Sequence, residues 1–92
     1  MIKEYRLYTY DLWGNEEDGF TINDYYRQSD IVEISDKMED SEIIRLIDFM
    51  EPDLIKIETD DSGELPNTFY FTKNNKPICE LRSLECYERE TF

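Results

Sequence analysis

The chemistry-bearing side chains of this sequence are carboxylates. Glu16, Glu17 and Asp18 stand in one run. Asp40, Glu42 and Asp48 are spread through a second, and Asp60 and Asp61 lie in a third. Carboxylates can act in pairs as acid and base, hold a hard cation, or meet a positive surface. Acid–base work needs two of them in a cleft with their proton affinities pushed apart. Here they are so abundant that no pair stands out. The chain contains no His, so the usual base near neutral pH is missing, and with it any Ser-His or Cys-His nucleophile. No phosphate-binding loop or glycine-rich dinucleotide motif is present. A cation could be imagined at Asn15, Glu17 and Asp18, or at Asp60, Asp61 and Glu64. Neither set follows the calcium-loop pattern of alternating oxygens, a Gly and a distant Glu. The sequence therefore assigns no catalytic, cofactor-binding or metal-binding residue, and a carboxylate-metal enzyme ranks last among the readings.

Meeting a positive surface is the use that remains. The 92 residues carry 23 acidic and 10 basic side chains, a net charge of −13. The whole excess falls in the first two thirds, because residues 65–92 are balanced. Direct binding to nucleic acid needs a basic footprint and is disfavoured. An anionic membrane surface would repel the chain as well. A basic protein would be attracted and its approach accelerated. Carboxylates spaced along a loop, a helix face and a second loop can imitate the phosphate repeat of DNA. The same charges also serve plain solubility. The aromatic set Tyr5, Tyr8, Tyr10, Trp13, Phe20, Tyr25 and Tyr26 either fills core and cross-strand positions or presents a contact surface. The candidate partner contacts are Trp13, Glu16, Glu17, Asp18, Asp40, Glu42, Asp48, Asp60 and Asp61.

These residues need a scaffold, and the length suits one small domain over residues 1–92. Residues 3–12 read as a strand rich in β-formers. The run from Gly14 to Gly19 breaks it, with Asp18-Gly19 as the point of positive φ. Residues 20–27 read as the returning strand, with a bulge at Asn23-Asp24. Together, Tyr8 to Tyr26 form a hairpin with an acidic tip. Gln28-Ser29-Asp30 reads as a turn, and residues 31–34 as a short third strand. A helix is expected over 41–51, capped by Asp40 or Ser41. Its apolar stripe is Ile43, Leu46, Ile47 and Met50, its wet face Glu42, Arg45 and Asp48, and Pro52 stops it. Residues 54–59 form a strand with Ile55 and Ile57 facing the core. Residues 60–64 are a solvated loop. Residues 68–72 form another strand, Lys73 to Lys76 a hairpin turn, and residues 77–84 the last strand, with Pro77 at its start or on an edge. Residues 86–92 read as a loose tail. The sum is β-β-β-α-β-β-β, an α+β domain with one helix covering one face of an antiparallel sheet.

The start, MIKEYRLYTYD, has no apolar signal region, and no apolar run approaches a membrane span. A cytoplasmic protein is expected. Cys79 and Cys86 match no zinc spacing. They read as two reduced thiols, Cys79 facing the core, with a disulfide as the alternative.

The stretch from Tyr10 to Asp24, YDLWGNEEDGFTIND, resembles a set of small uncharacterised proteins of bacteriophages and other mobile elements. Their pattern is Tyr-Asp-x-Trp-Gly-Asn, a short variable stretch, Asp/Glu-Gly-aromatic, and Val/Ile-Asn-Asp. A hydrophobic segment and an acid-rich helix follow, as they do here from Ile31 to Met50. The match covers the first half of the chain. It implies an origin in a phage or mobile element within a bacterial host, and no catalytic residues. With the charge, it leads to a non-enzymatic acidic binding protein. Such a protein would block or modulate a basic nucleic-acid-handling host protein, as a DNA mimic or an inhibitor of host defence. The alternative is a structural or accessory module, a homodimer joined through a sheet edge or the tyrosine face.

Overall fold

The computed structural model describes residues 1–57 and 65–84. The expected loop over residues 60–64, with Asp60 and Asp61, and the expected tail over residues 86–92, with Cys86, lie outside the described residues.

Strands β1 (Ile2–Asn15) and β2 (Gly19–Ser35) form the acidic-tipped hairpin. The Asn15 carboxamide oxygen accepts from the Asp18 N–H at 2.8 Å and so closes the tip. Gly14 and Gly19 both have positive φ, +103° and +86°. A Cβ on Gly14 would lie 2.2 Å from the Gly19 carbonyl oxygen, whereas one on Gly19 would meet nothing within 4 Å. Gly14→Ala therefore carries a clash on top of the backbone cost. It is expected to lower stability by about 1–3 kcal/mol, and Gly19→Ala by about 1 kcal/mol. Thermal unfolding of the two variants side by side checks the order.

The structure corrects the expectation of a turn at Gln28-Ser29-Asp30. β2 runs straight through as one strand of 17 residues. Arg6 pairs with Ile31 and Tyr8 with Arg27, so these three residues bulge opposite Leu7 alone. Two bonds hold the bulge. Arg6 Nη1 donates to the Gln28 carbonyl oxygen, and Gln28 Nε2 donates to Thr9 Oγ1, each at 3.1 Å. The same polar residues that suit a turn also suit a bulge, where backbone groups leave the ladder. The second irregularity falls where it was expected. Asp11 pairs with Asp24 and Leu12 with Ile22, leaving Asn23 as the extra residue. Asn23 Nδ2 donates to Asp11 Oδ2 at 2.9 Å.

The helical segment is shorter than its periodicity predicts. Helix α1 spans Asp40–Leu46, and a 3-10 turn follows over Asp48–Met50. Ile47, at φ −124° and ψ 36°, leaves the α conformation between them. The α-helix therefore ends five residues short of Glu51, and it is the 3-10 turn that stops before Pro52, at a left-handed Glu51 (φ 52°). Glu39 occupies the cap position without a side-chain bond, in place of Asp40 or Ser41. Asp40 and Glu42 in the first turn and Arg45 in the last suit the helix dipole. Ile43 and Ile47 are buried, and Ile44, Leu46 and Met50 pack against the same core.

Strands β3 (Leu54–Ile57), β4 (Thr68–Lys73) and β5 (Lys76–Ser83) complete one antiparallel sheet in the order β2-β1-β5-β4-β3. Asn74 and Asn75, at φ 52° and 65°, make the tight β4–β5 turn. β5 lies at the centre of the sheet, not at an edge. Its Pro77 is tolerated there because pairing with β1 ends at Cys79, so Pro77 faces no β1 residue. β2 and β3 run in the same direction along opposite edges, so the helical connection crosses the sheet from end to end. The core beneath it is Tyr5, Leu7, Ile34, Ile43, Ile47, Leu65, Phe69, Phe71, Cys79 and Leu81. Tyr5 packs edge-on against Phe69, with ring centroids 5.1 Å apart, and its hydroxyl donates to the Pro66 carbonyl oxygen. Cys79 is a buried free thiol. Ile57, expected in the core, is 42% exposed because β3 is a short edge strand. The architecture is the expected α+β arrangement, with five strands among the described residues because the second and third expected strands are one. Among the described residues, no helix is long and apolar enough to cross a membrane.

Candidate binding surface

The β1–β2 and β4–β5 turns lie at the same end of the sheet. β1 and β5 pair only from Tyr5–Ser83 to Thr9–Cys79, and beyond that level the two hairpins part. Trp13 faces solvent at 64% exposure, and Glu16, Glu17 and Asp18 are exposed beside it at the tip. Between the two turns lies a cavity of about 510 Å³, lined by Glu16, Gly19, Phe20, Asn74, Asn75 and Pro77. Lys76 Nζ reaches across to 5.7 Å from the centre of the Phe20 ring. A smaller cavity of about 260 Å³ shares Pro77 with it and has Tyr10, Lys76, Met50 and Ile78 in its wall.

The chain after the helix rises to this same end. Glu51 accepts from Lys73 Nζ at 2.8 Å, and the ammonium holds its carboxyl below the usual range. Asp53 Oδ2 accepts from the Asn74 N–H at 2.8 Å and pins the second turn. Asp48, exposed, belongs to the segment whose Met50 and Glu51 make these contacts. Asp40 and Glu42 are exposed too, but they follow closely on Ser35, which pairs with Ile2 at the opposite end of the sheet. The structure thus gathers Trp13, Glu16, Glu17 and Asp18 at one end, brings Asp48 towards them, and leaves Asp40 and Glu42 apart. The side chains of Glu16, Glu17, Asp40, Glu42 and Asp48 make no hydrogen bond or ion pair among the described residues. Asp60 and Asp61 lie outside them.

Sequence reasoning missed a second constellation. On the sheet face turned away from the core, Glu80 is 3% exposed, the one buried carboxylate among the described residues. Its Oε2 accepts from Arg82 Nε at 2.6 Å, and its Oε1 from the Tyr10 hydroxyl at 3.0 Å. The Arg82 guanidinium lies over the Tyr8 ring at 4.5 Å and the Tyr25 ring at 4.7 Å, and Tyr10 stands edge-on to Tyr25. The bond to Glu80 strengthens the hold of Arg82 on its proton. The signal was available. In β5, Ile78, Glu80 and Arg82 alternate with Cys79 and Leu81, so an acid and a base sit two apart on one face. The tyrosine set is divided accordingly. Tyr5 and Tyr8 are buried and Tyr10 half-buried, and Tyr25 and Tyr26 are exposed.

Burial, then the nearby Glu80 charge, pushes the Cys79 thiol up to about 12 and raises the Tyr10 phenol as well. Both groups are neutral when protonated, and the folded state holds those protons more tightly than the unfolded chain, where the ordinary values are 9.0 and 10.0. Their contribution is full below pH 9.0 and is lost as pH rises towards 12. Urea midpoints measured from pH 7 to 11 should fall above about 9, and Tyr10→Phe should make that fall shallower.

Among the described residues, no group of three or more Asp, Glu or Cys is placed to hold a metal ion. No protein-family model, curated protein or solved structure matches this chain.

Proposed function

We propose that this chain is a non-enzymatic acidic binding protein of phage or mobile-element type. It would act in the cytoplasm of a bacterial host, where it blocks or modulates a basic nucleic-acid-handling protein by occupying that protein's positive surface. The carrying observation is the end of the sheet where a solvent-exposed Trp13 stands beside three exposed carboxylates, Glu16, Glu17 and Asp18. Trp is among the side chains that dominate binding hot spots. Carboxylates around it supply attraction and orientation, as charges on an interface rim do.

The test is capture of a basic, nucleic-acid-binding protein from host lysate at low salt, followed by titration of the purified pair. Affinity should fall steeply with salt as the screening length contracts from about 10 Å at 0.1 M to about 3 Å at 1 M. The partner's own nucleic acid should compete. A complex indifferent to both would overturn the reading.

The self-associating alternative has the long β2 edge in its favour, with Tyr26 and Ile31 exposed along it. Asp24, Asp30 and Glu33 on the same edge, and the bulge at residues 28–30, oppose strand-to-strand pairing. Sizing chromatography at high salt separates the two.

A further inference from the structure

We infer that the cavity between the two hairpin turns is a socket for one cationic side chain of the partner, an arginine in preference to a lysine. The inference rests on the binding reading above and names the contact through which it works. Three observations carry it. The cavity, about 510 Å³, lies between two separately closed turns, so neither wall depends on the other to keep its shape. Its lining residues include Glu16, Phe20, Asn74 and Asn75, which bring a carboxylate, an aromatic ring and two amides to the cavity's edge. That set offers a cation an opposite charge, a π-face and neutral acceptors together. The ring already attracts a cation, since the protein's own Lys76 ammonium sits 5.7 Å from its centre.

Arginine fits this lining better than lysine. Its guanidinium is flat and can lie on the ring while its five donors reach the Glu16 carboxylate and the amide oxygens. A lysine ammonium is a compact, strongly hydrated point charge that Lys76 already supplies. Lys76, which lines the smaller neighbouring cavity, competes for the Phe20 ring, and a partner's arginine has to displace it there. The Glu16 carboxylate, which makes no other contact among the described residues, is left for the incoming group.

The test uses the full chain labelled with nitrogen-15 and a hexa-arginine peptide as the probe at low salt. Amide shifts should concentrate at Glu16, Gly19, Phe20, Asn74 and Asn75. Glu16→Gln should weaken binding about fivefold, by the loss of one charge-assisted contact. Glu42→Gln, which removes the same charge from the helix, should change it less than twofold, in the range of a screened surface charge. Lys76→Ala should tighten binding several-fold more than Lys37→Ala, which makes the same change of net charge at an exposed site elsewhere. Shifts spread evenly over the tip and the helix, with Glu16→Gln and Glu42→Gln equivalent, would overturn the socket and leave the charge-driven reading standing. No shift at any site would overturn both.

Discussion

Replacing Arg82 with Met should cost about 3–5 kcal/mol of folding stability, because it strands a buried carboxylate. Met keeps most of the apolar stem, so little packing is lost. What disappears is the guanidinium that donates to Glu80 and lies over Tyr8 and Tyr25. Glu80, at 3% exposure, has no route to water and keeps only the Tyr10 hydroxyl. The opposite change is milder. Arg82 retains 29% side-chain exposure and can turn its charge to solvent, so Glu80→Gln should cost about 1.5–3 kcal/mol. Removing both charges together, Glu80→Gln with Arg82→Met, should recover most of the loss. For a 92-residue domain with about 5–14 kcal/mol in total, the single variant should lower Tm by more than about 12 °C. Urea unfolding of the four proteins closes the cycle. A loss under about 1 kcal/mol for Arg82→Met would mean that water reaches Glu80 after all.

The second large effect concerns binding. Neutralising the tip with Glu16→Gln, Glu17→Gln and Asp18→Asn should weaken the complex with the basic partner by about 10–100-fold at low salt. Each rim charge contributes about 0.5–1 kcal/mol, and a tenfold change is about 1.4 kcal/mol. The loss should appear mainly in the association rate. Stability should hold within about 0.5 kcal/mol, because all three side chains are exposed and the bond that closes the tip uses the Asp18 backbone N–H. A matched triple on the helical segment, Asp40→Asn, Glu42→Gln and Asp48→Asn, removes the same formal charge. It should lose less, because Asp40 and Glu42 start from the far end of the sheet. Equal losses would show that net charge alone drives association and that the tip has no special part.

Much of this architecture is written in local pattern. The glycines that bracket the acidic tip, the paired asparagines of the second turn, the apolar spacing of Ile43, Leu46, Ile47 and Met50, and the stop at Pro52 each act within a few residues of themselves, and each was legible. What was not legible depends on partners distant in the chain. Gln28-Ser29-Asp30 has the composition of a turn, and only the register of β1 opposite Leu7 makes it a bulge. Pro77 suggests an edge, yet β1 settles against β5 beyond its reach. Ile57 alternates like a core residue, but among the described residues no strand lies outside it to complete the burial. At the candidate surface, the exposure of the tip carboxylates follows from the hairpin alone, whereas that of Trp13 does not, because the aromatic set fitted core and surface alike. The wedge between the turns could not be foreseen, because it exists only where β1 and β5 stop pairing. The Glu80–Arg82 pair shows the reverse case. It was visible as an alternating strand pattern, but it was hidden among many other charges.

The placing of β5 beside β1 governs when this molecule can mature. Tyr10 and Glu80, joined by a hydrogen bond, are 70 residues apart. On a ribosome, the first hairpin emerges early and can close on itself. Its apolar side, with Tyr5, Leu7 and Ile34, can be met by Ile43 and Ile47 of the segment that follows, but the open edge of β1 has no partner until the final strand has been synthesised and slots in next to it. Joining such remote segments is entropically slow, and until it happens the nascent hairpin offers an unpaired strand edge to whatever is nearby. The dense negative charge borne by that early half keeps nascent copies apart during the wait.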